Sequence, residues 1–176
     1  MIPLVFILDL LNRLIGDNDI DSKMKHYRFS PIEDEKHLLD AVRYVVEHAS
    51  DLCDKTIGMR LPISSLTIFA HYSDEYDKLI KIVKKLGKPF NENNGPRIEL
   101  SKPIKLSGNI IRHIRIRIPD PYRMQVGCCD FDVKSYDPFK KKYLKCKNLR
   151  VIKRPEYEMI EFFDPDYDVL AYIVSN

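Results

Sequence analysis

Residues 66–70 read LTIFA, and the segments at residues 76–86, 97–100 and 114–118 read YDKLIKIVKKL, RIEL and IRIRI. The first, third and fourth segments have the alternating or β-branched composition of strands. In the second segment, apolar residues recur every three or four positions, which is typical of a helix with one buried face. The order of elements is therefore strand, helix, strand, strand, or βαββ.

The second half of the chain repeats this order. A strand-like run at Cys129–Val133 is followed by a short helix at Pro138–Leu144. Two further strand-like runs follow at Met159–Phe163 and Val169–Val174. Two βαββ-type modules side by side predict one curved mixed sheet that encloses a cup. We therefore expect an α+β fold with a first module over residues 64–118 and a second over residues 124–176.

Residues 1–58 form a helical section that we expect to pack outside the sheet. One amphipathic helix is predicted over residues 2–16, and a second is predicted to begin at a capping box made by Ser30 and Glu33. The second helix has a buried stripe at three- and four-residue spacing, formed by Leu38, Val42, Val45, Ala49 and Leu52. At 176 residues the chain is short enough for a single domain, residues 1–176.

Composition excludes several classes of protein. Charged residues make up 31% and apolar residues 44%, which is ordinary for a globular protein and excludes a disordered chain. The four cysteines form neither a disulfide framework nor a CxxC pair, which favours a reduced, cytoplasmic compartment. Asp9 and Arg13 interrupt the apolar start of the chain, so we predict neither a signal peptide nor a membrane partner.

The strand around residues 113–118 has two chemically different faces. Its isoleucines point one way, and His113, Arg115 and Arg117 point the other, because side chains alternate along a strand. If the basic face is concave, these residues at about 6–7 Å spacing offer a binding surface for a carboxylate or phosphate. The alternative is that they cover the solvated side of an edge strand.

A proline-containing segment, residues 119–127, connects the two modules. Tyr122, Arg123 and Gln125 follow its prolines and are predicted to lie at the mouth of the cup, although the segment can also be a rigid connection with incidental polarity. The candidate ligand-binding residues are therefore His113, Arg115, Arg117, Tyr122, Arg123 and Gln125.

Charge is unevenly distributed over the last third of the chain. Residues 134–154 carry nine Lys or Arg side chains. All the charged side chains of residues 156–168 are acidic. Adjacent segments of opposite sign can neutralise each other across neighbouring strands. The other interpretation is a nucleic-acid-binding patch around Lys140–Lys142, for which charge is the main cue.

Beyond these patterns, the chain resembles the vicinal oxygen chelate superfamily, which includes glyoxalases and dioxygenases. The resemblance rests on the doubled module and on the segments Phe162–Leu170 (FFDPDYDVL), Gly95–Leu100 (GPRIEL) and Ile116–Pro119 (IRIP). It spans roughly residues 64–174 and is similar to a small glyoxalase-like branch with extra N-terminal helices. The resemblance implies a cup between the modules and, in chains that pair their halves, a homodimer.

Active members of that superfamily hold a divalent metal with histidines and carboxylates that converge from several strands. At the corresponding positions this chain has Ser65, Arg117, Cys128 and Ala171, and a guanidinium in place of a carboxylate repels a cation. We therefore expect no metal ligands and no other cofactor. A nucleophilic Cys128 would need a base that the sequence does not place.

Two functions of different classes follow. The first is a metal-independent binding module whose cationic cup holds a small anionic ligand or an acidic segment of a partner protein. The second is an isomerase, lyase or dioxygenase with a rearranged metal site built from His71, His113 and an acidic residue such as Asp130 or Glu161. Whether the chain catalyses a reaction is left open by its sequence.

Overall fold

The structure is a computed structural model that describes residues 27–175. The helix predicted over residues 2–16 lies outside the described residues. None of the helices between Tyr27 and Ser175 combines the length and apolarity that crossing a bilayer requires.

Three helices and eight strands make up the described part of the chain. The helices are α1 (Glu35–Ile57), α2 (Ser73–Leu86) and α3 (Tyr136–Tyr143). The strands are β1 (Ile63–Phe69), β2 (Gly87–Asn91), β3 (Arg97–Leu106), β4 (Asn109–Arg117), β5 (Gly127–Phe131), β6 (Leu149–Lys153), β7 (Glu158–Phe162) and β8 (Val169–Val174). They form one mixed sheet in the order β2-β3-β4-β1-β5-β8-β7-β6.

The sheet consists of two modules with the same pairing. In each module the first strand lies parallel to the last, as β1 with β4 and β5 with β8, and the remaining pairs are antiparallel. The modules join where β1 and β5 pair antiparallel at the centre of the sheet. The predicted α+β fold with a curved mixed sheet built from two modules is confirmed.

Each module contains one strand more than predicted. The additional strands, β2 and β6, lie at the two edges of the sheet. Glycine after a helix commonly adopts a left-handed conformation, but Gly87 has an extended φ of −178° and leads directly from α2 into β2. A strand that reads GKPFN lacks alternation, and its Pro89 fits an edge position, where one N–H can be missing.

Helix α1 covers the convex face of the sheet. The predicted stripe from Leu38 to Leu52 is buried and packs against β1, β5 and β8. The predicted capping box is wrong, because Asp34 is the N-cap and its side chain accepts a hydrogen bond from the His37 N–H at 2.7 Å. Ser30 lies further upstream, where its hydroxyl contacts His71 instead.

The two faces of β4 separate as predicted. Ile114 and Ile116 are fully buried between the sheet and the helices, and Arg115 and Arg117 point to the other face. Ile118 is an exception, because β4 ends at Arg117 and the Ile118 side chain is 52% exposed. The edge-strand alternative is wrong, since β4 has β3 on one side and β1 on the other.

His71 is buried where the segment before α1 meets α2. Its ring stacks on Tyr27 with centroids 3.9 Å apart, and its Nδ1 lies 2.5 Å from the Ser30 hydroxyl. The backbone N–H of His71 donates to the Glu75 carboxylate at 2.8 Å. Burial lowers the pKa of His71 below its ordinary value, and the nearby carboxylates of Glu75 and Asp120 oppose this shift without cancelling it. The ring is therefore held neutral.

We expect the protein to lose stability as the pH falls below about 6.5. In the unfolded chain His71 takes up a proton near its ordinary pKa of 6.5, whereas the folded chain resists protonation. The unfolded state then binds more protons than the folded state. The free energy of unfolding therefore decreases as the pH is lowered, by at most about 1.4 kcal/mol per pH unit. Urea unfolding between pH 7.5 and 5.5 measures this slope. His71→Gln should flatten the slope and His37→Gln should not; equal slopes in all three proteins would contradict the prediction.

Candidate functional site

The concave face of the sheet lines a cavity of about 360 Å³, called here the cup cavity. Strands of both modules and the loop at residue 123 supply its walls. It is lined by two carboxylates, Asp130 and Glu161, and by six arginines, which are Arg97, Arg115, Arg117, Arg123, Arg150 and Arg154. The cup cavity is therefore strongly cationic.

Strand register places two of these arginines directly opposite each other. Arg97 on β3 is the cross-strand partner of Arg115 on β4, and Arg115 in turn faces Thr67 on β1. Like charges in directly opposed positions destabilise a sheet unless something else compensates them. This pair of arginines is a local cost in stability that the fold alone does not require.

Arg97 is compensated within the cup. Its Nη2 lies 2.8 Å from a carboxylate oxygen of Asp130 and also donates to the Ser65 hydroxyl. Burial raises the pKa of Asp130, and the charges of Arg97 and Arg115 oppose that rise. The ion pair therefore compensates the charge of Arg97 and does not compensate the charge of Arg115.

Arg115 lacks such a partner among residues 27–175. Its Nη2 donates to the neutral amide oxygen of Asn91 at 2.9 Å, and no carboxylate of the described residues lies within ion-pair distance. Burial and the charge of Arg97 lower the pKa of Arg115. The Nε–H groups of both Arg97 and Arg115 are buried and have no acceptor in the described part of the chain. Buried cationic donors without acceptors are costly. The charge of Arg115 is therefore uncompensated, and an anion in the cup cavity would be stabilised beside it.

Arg117 and Arg123 lie nearer the segment that connects the modules. Both face Asp120, at 3.2 Å from Arg117 and 3.8 Å from Arg123. The guanidinium of Arg117 also lies over the Phe69 ring, 4.9 Å from its centroid. One carboxylate is shared by two arginines here, so this side of the cup cavity also retains positive charge.

The opposite wall holds a neutralised network. Glu161 is 1% exposed and accepts hydrogen bonds from the Arg150 Nε–H and, at 2.9 Å, from the Tyr172 hydroxyl. Burial raises the pKa of Tyr172, so its hydroxyl stays protonated and remains a donor. Glu161 is thereby occupied by two donors and does not offset Arg115.

The structure brings together three of the six candidate ligand-binding residues. Arg115, Arg117 and Arg123 line the cup cavity. His113 is on β4 as well, but its ring packs 4.6 Å from that of Phe90 and does not line the cavity. The other two lie elsewhere: Tyr122 is 92% exposed, and Gln125 lines a neighbouring cavity, to which Arg123 also contributes.

Sequence reasoning missed Arg97, Arg150 and Arg154. Counting back from the turn between β3 and β4 pairs Arg97 with Ile118, whereas a register shift within β3 pairs it with Arg115. Arg150 lies on β6, which was not predicted as a strand. The alternation in β4 was a readable signal, but the irregularity in β3 and the edge strand β6 gave none.

No group of three or more His, Cys, Asp or Glu side chains is arranged to hold a metal ion between residues 27 and 175. His71 lies under Tyr27, and His113 lies against Phe90, so neither lines the cup cavity. Asp130 and Glu161 do line it, and both are paired with arginines.

The positions compared with metal ligands are not all in the cup. Arg117 and Cys128 line the cup cavity, and Ser65 contacts Arg97. The expected position of Ala171 in the cup is wrong: Ala171 is fully buried on the helix-covered face, and Tyr172 and Val174 are the β8 residues that line the cup cavity. Burial raises the pKa of Cys128 to about 12, so its thiol is neutral, which argues against a nucleophilic role.

The charges of the last third of the chain partly neutralise each other, by one ion pair between α3 and β7 and one between β6 and β7. Lys140 on α3 pairs with Glu158, and Arg150 pairs with Glu161. Lys141 and Lys142 are exposed on α3. A nucleic-acid-binding role for the Lys140–Lys142 patch stays a prediction.

Comparison with known proteins shows the fold alone. No protein-family model matches the chain, and no curated protein matches its sequence. One solved structure, named "Structural Genomics, Protein EC4020", is similar with a TM-score of 0.60. The similarity covers 79% of this chain and 85% of that chain at 12% sequence identity.

Proposed function

We propose that this chain is a vicinal-oxygen-chelate-like binding protein whose cup cavity holds a small ligand bearing a carboxylate or phosphate. The observation that carries the proposal is the opposed pair Arg97 and Arg115 on the wall of the cup cavity, of which only Arg97 has a carboxylate partner within residues 27–175. The doubled module with a curved sheet supports the assignment to that superfamily.

The chemistry of the cup cavity favours an anion over other ligands. A guanidinium presents several donors in a planar fork that matches carboxylate and phosphate oxygens. A bound anion would lie against the guanidinium groups of Arg97 and Arg115, which line the cup cavity, and would offset the repulsion between their charges. The volume of about 360 Å³ lies in the range of small-molecule sites, which favours a small ligand over a long acidic segment of a partner.

Titration with sodium phosphate and with sodium succinate tests the proposal. We expect a saturable change in NMR chemical shifts and a rise in melting temperature. At ten times the Kd, binding adds about 1.4 kcal/mol, which corresponds to a shift of about 3–6 °C for a chain of this size. Sodium chloride at matched ionic strength controls for screening.

Arg115→Met should abolish the saturable response. Arg60→Met is the matched control, because Arg60 is a surface arginine that pairs with Asp51 at 2.6 Å and does not line the cup cavity. A response that is absent from the original protein, or that is equally strong in Arg115→Met, would refute anion binding in the cup.

A further inference from the structure

An apolar row lies in the same cavity as the arginines. Strand register aligns Ile152 on β6 with Met159 on β7, and Met159 with Val174 on β8. All three side chains line the cup cavity. None of them is fully buried, and Val174 is 39% exposed. The row therefore presents apolar surface to the interior of the cup.

This apolar row is distinct from the cationic pair in both chemistry and position. The row belongs to the second module, whereas Arg97 and Arg115 belong to the first. Along β7, Met159 precedes Glu161 by two residues, which is about 6–7 Å. The pair of Arg150 and Glu161 thus lies next to the row and is neutral as a pair. Arg154, two residues after Ile152 along the chain, also lines the cup cavity and adds a positive charge at that end of the row.

We infer that the ligand is an amphiphilic anion, with a carboxylate or phosphate head at Arg97 and Arg115 and a hydrocarbon or aromatic portion on the Ile152–Met159–Val174 row. This inference rests on the proposed function, since it assigns the head group to the same arginines. A purely polar anion such as free phosphate would leave the apolar wall of the cavity in water. A ligand with an apolar portion gains from both walls, because removing apolar surface from water is favourable in rough proportion to its area.

A series of linear carboxylates tests this inference on the full chain. Acetate, butanoate, hexanoate and octanoate share one head group and differ only in chain length, and 1-hexanol supplies the chain without the charge. We expect the Kd to fall by roughly two- to fourfold for each added methylene between butanoate and hexanoate, given the usual gain on burying a CH₂ group. Isothermal titration calorimetry measures each Kd.

Variants of the row separate the tail from the head. Val174→Thr together with Met159→Gln should make the Kd nearly independent of chain length. Val174→Thr alone is nearly isosteric at a partly exposed position, so it reports a weaker dependence if the double variant does not fold. Ile110→Thr is the matched control, because Ile110 is exposed on β4 and does not line the cup cavity.

The outcomes distinguish this inference from the proposed function. Carboxylates that bind with the same Kd at every chain length overturn the amphiphilic ligand and leave anion binding intact. Absence of binding by all carboxylates and by phosphate overturns both. Hexanol that binds as tightly as hexanoate overturns the amphiphilic anion, since the charged head would then contribute nothing, and leaves the phosphate titration as the test of anion binding.

Discussion

Arg115→Met is expected to stabilise the unliganded protein by about 1–2 kcal/mol while it abolishes the response to anions. Methionine has a similar length and fits an apolar environment, so the substitution removes a desolvated charge, an unaccepted Nε–H and the repulsion from Arg97. The loss is one hydrogen bond to Asn91, which is worth about 1 kcal/mol. A gain in stability with a loss of binding is the signature of a residue kept for its ligand.

Arg97→Met provides the matched comparison, because it changes the cross-strand partner of Arg115. Its effect on the free energy of unfolding should have the opposite sign to that of Arg115→Met. Arg97 pairs with Asp130 at 2.8 Å, and its removal leaves that carboxylate without its partner. We expect a loss of about 1–2 kcal/mol. This is less than for a fully buried pair, since the Asp130 side chain is 34% exposed.

Urea unfolding of both variants and of Arg60→Met at pH 7.5, without phosphate, measures these differences. Arg60→Met should stay within about 0.5 kcal/mol of the original protein, as is usual for surface substitutions. If Arg115→Met were destabilised as much as Arg97→Met, the idea that Arg115 is uncompensated in the unliganded cup would be wrong.

Gly127→Ala is expected to destabilise the protein by about 3 kcal/mol or more. Gly127 lies on β5 at the join between the modules, and an added Cβ would be 2.3 Å from the carbonyl oxygen of Thr67 and 3.1 Å from a methyl group of Val45. The first contact is with backbone of β1, which can move only if the central pair of strands separates. The corresponding fall in melting temperature is about 6–12 °C.

Gly108→Ala distinguishes the cost of a steric clash from the cost of an unfavourable backbone conformation. Gly108 has a φ of +81° in the turn between β3 and β4, and an added Cβ would meet nothing within 4 Å. Only the left-handed conformation is penalised there, at about 1–2 kcal/mol. Thermal unfolding followed by circular dichroism compares the two variants. Equal losses would mean that the join between β1 and β5 has more room than the structure shows.

The parts of this fold that could be predicted from sequence are those in which the hydrophobic pattern within one helix or strand is sufficient. The alternation in β4 placed Ile114 and Ile116 in the core and Arg115 and Arg117 on the opposite face, because the pleat requires it. The stripe of α1 was readable for the equivalent reason at helical spacing. Ile118 was misplaced because alternation does not say where a strand ends.

The parts that could not be predicted depend on contacts between distant segments. The opposition of Arg97 and Arg115 follows from a register shift in β3 that no local pattern announces. Likewise, the apolar row at Met159 exists only because β6, β7 and β8 are aligned with one another. Local propensity also predicted the wrong N-cap for α1. Ser30 is a good N-cap residue by type, but its hydroxyl contacts His71, and Asp34 caps the helix.

The antiparallel join of β1 and β5 has a consequence for how the chain can be divided. Each of these strands is at once the first strand of its own module and the inner neighbour of the other module, and α1 packs on strands from both. Separating the modules at the connecting segment would convert two interior strands into exposed edges whose free N–H and C=O groups pair readily with other chains. The repeat in sequence is therefore not a repeat of independent folding units: half of this protein would be an aggregation-prone fragment rather than a smaller version of the whole.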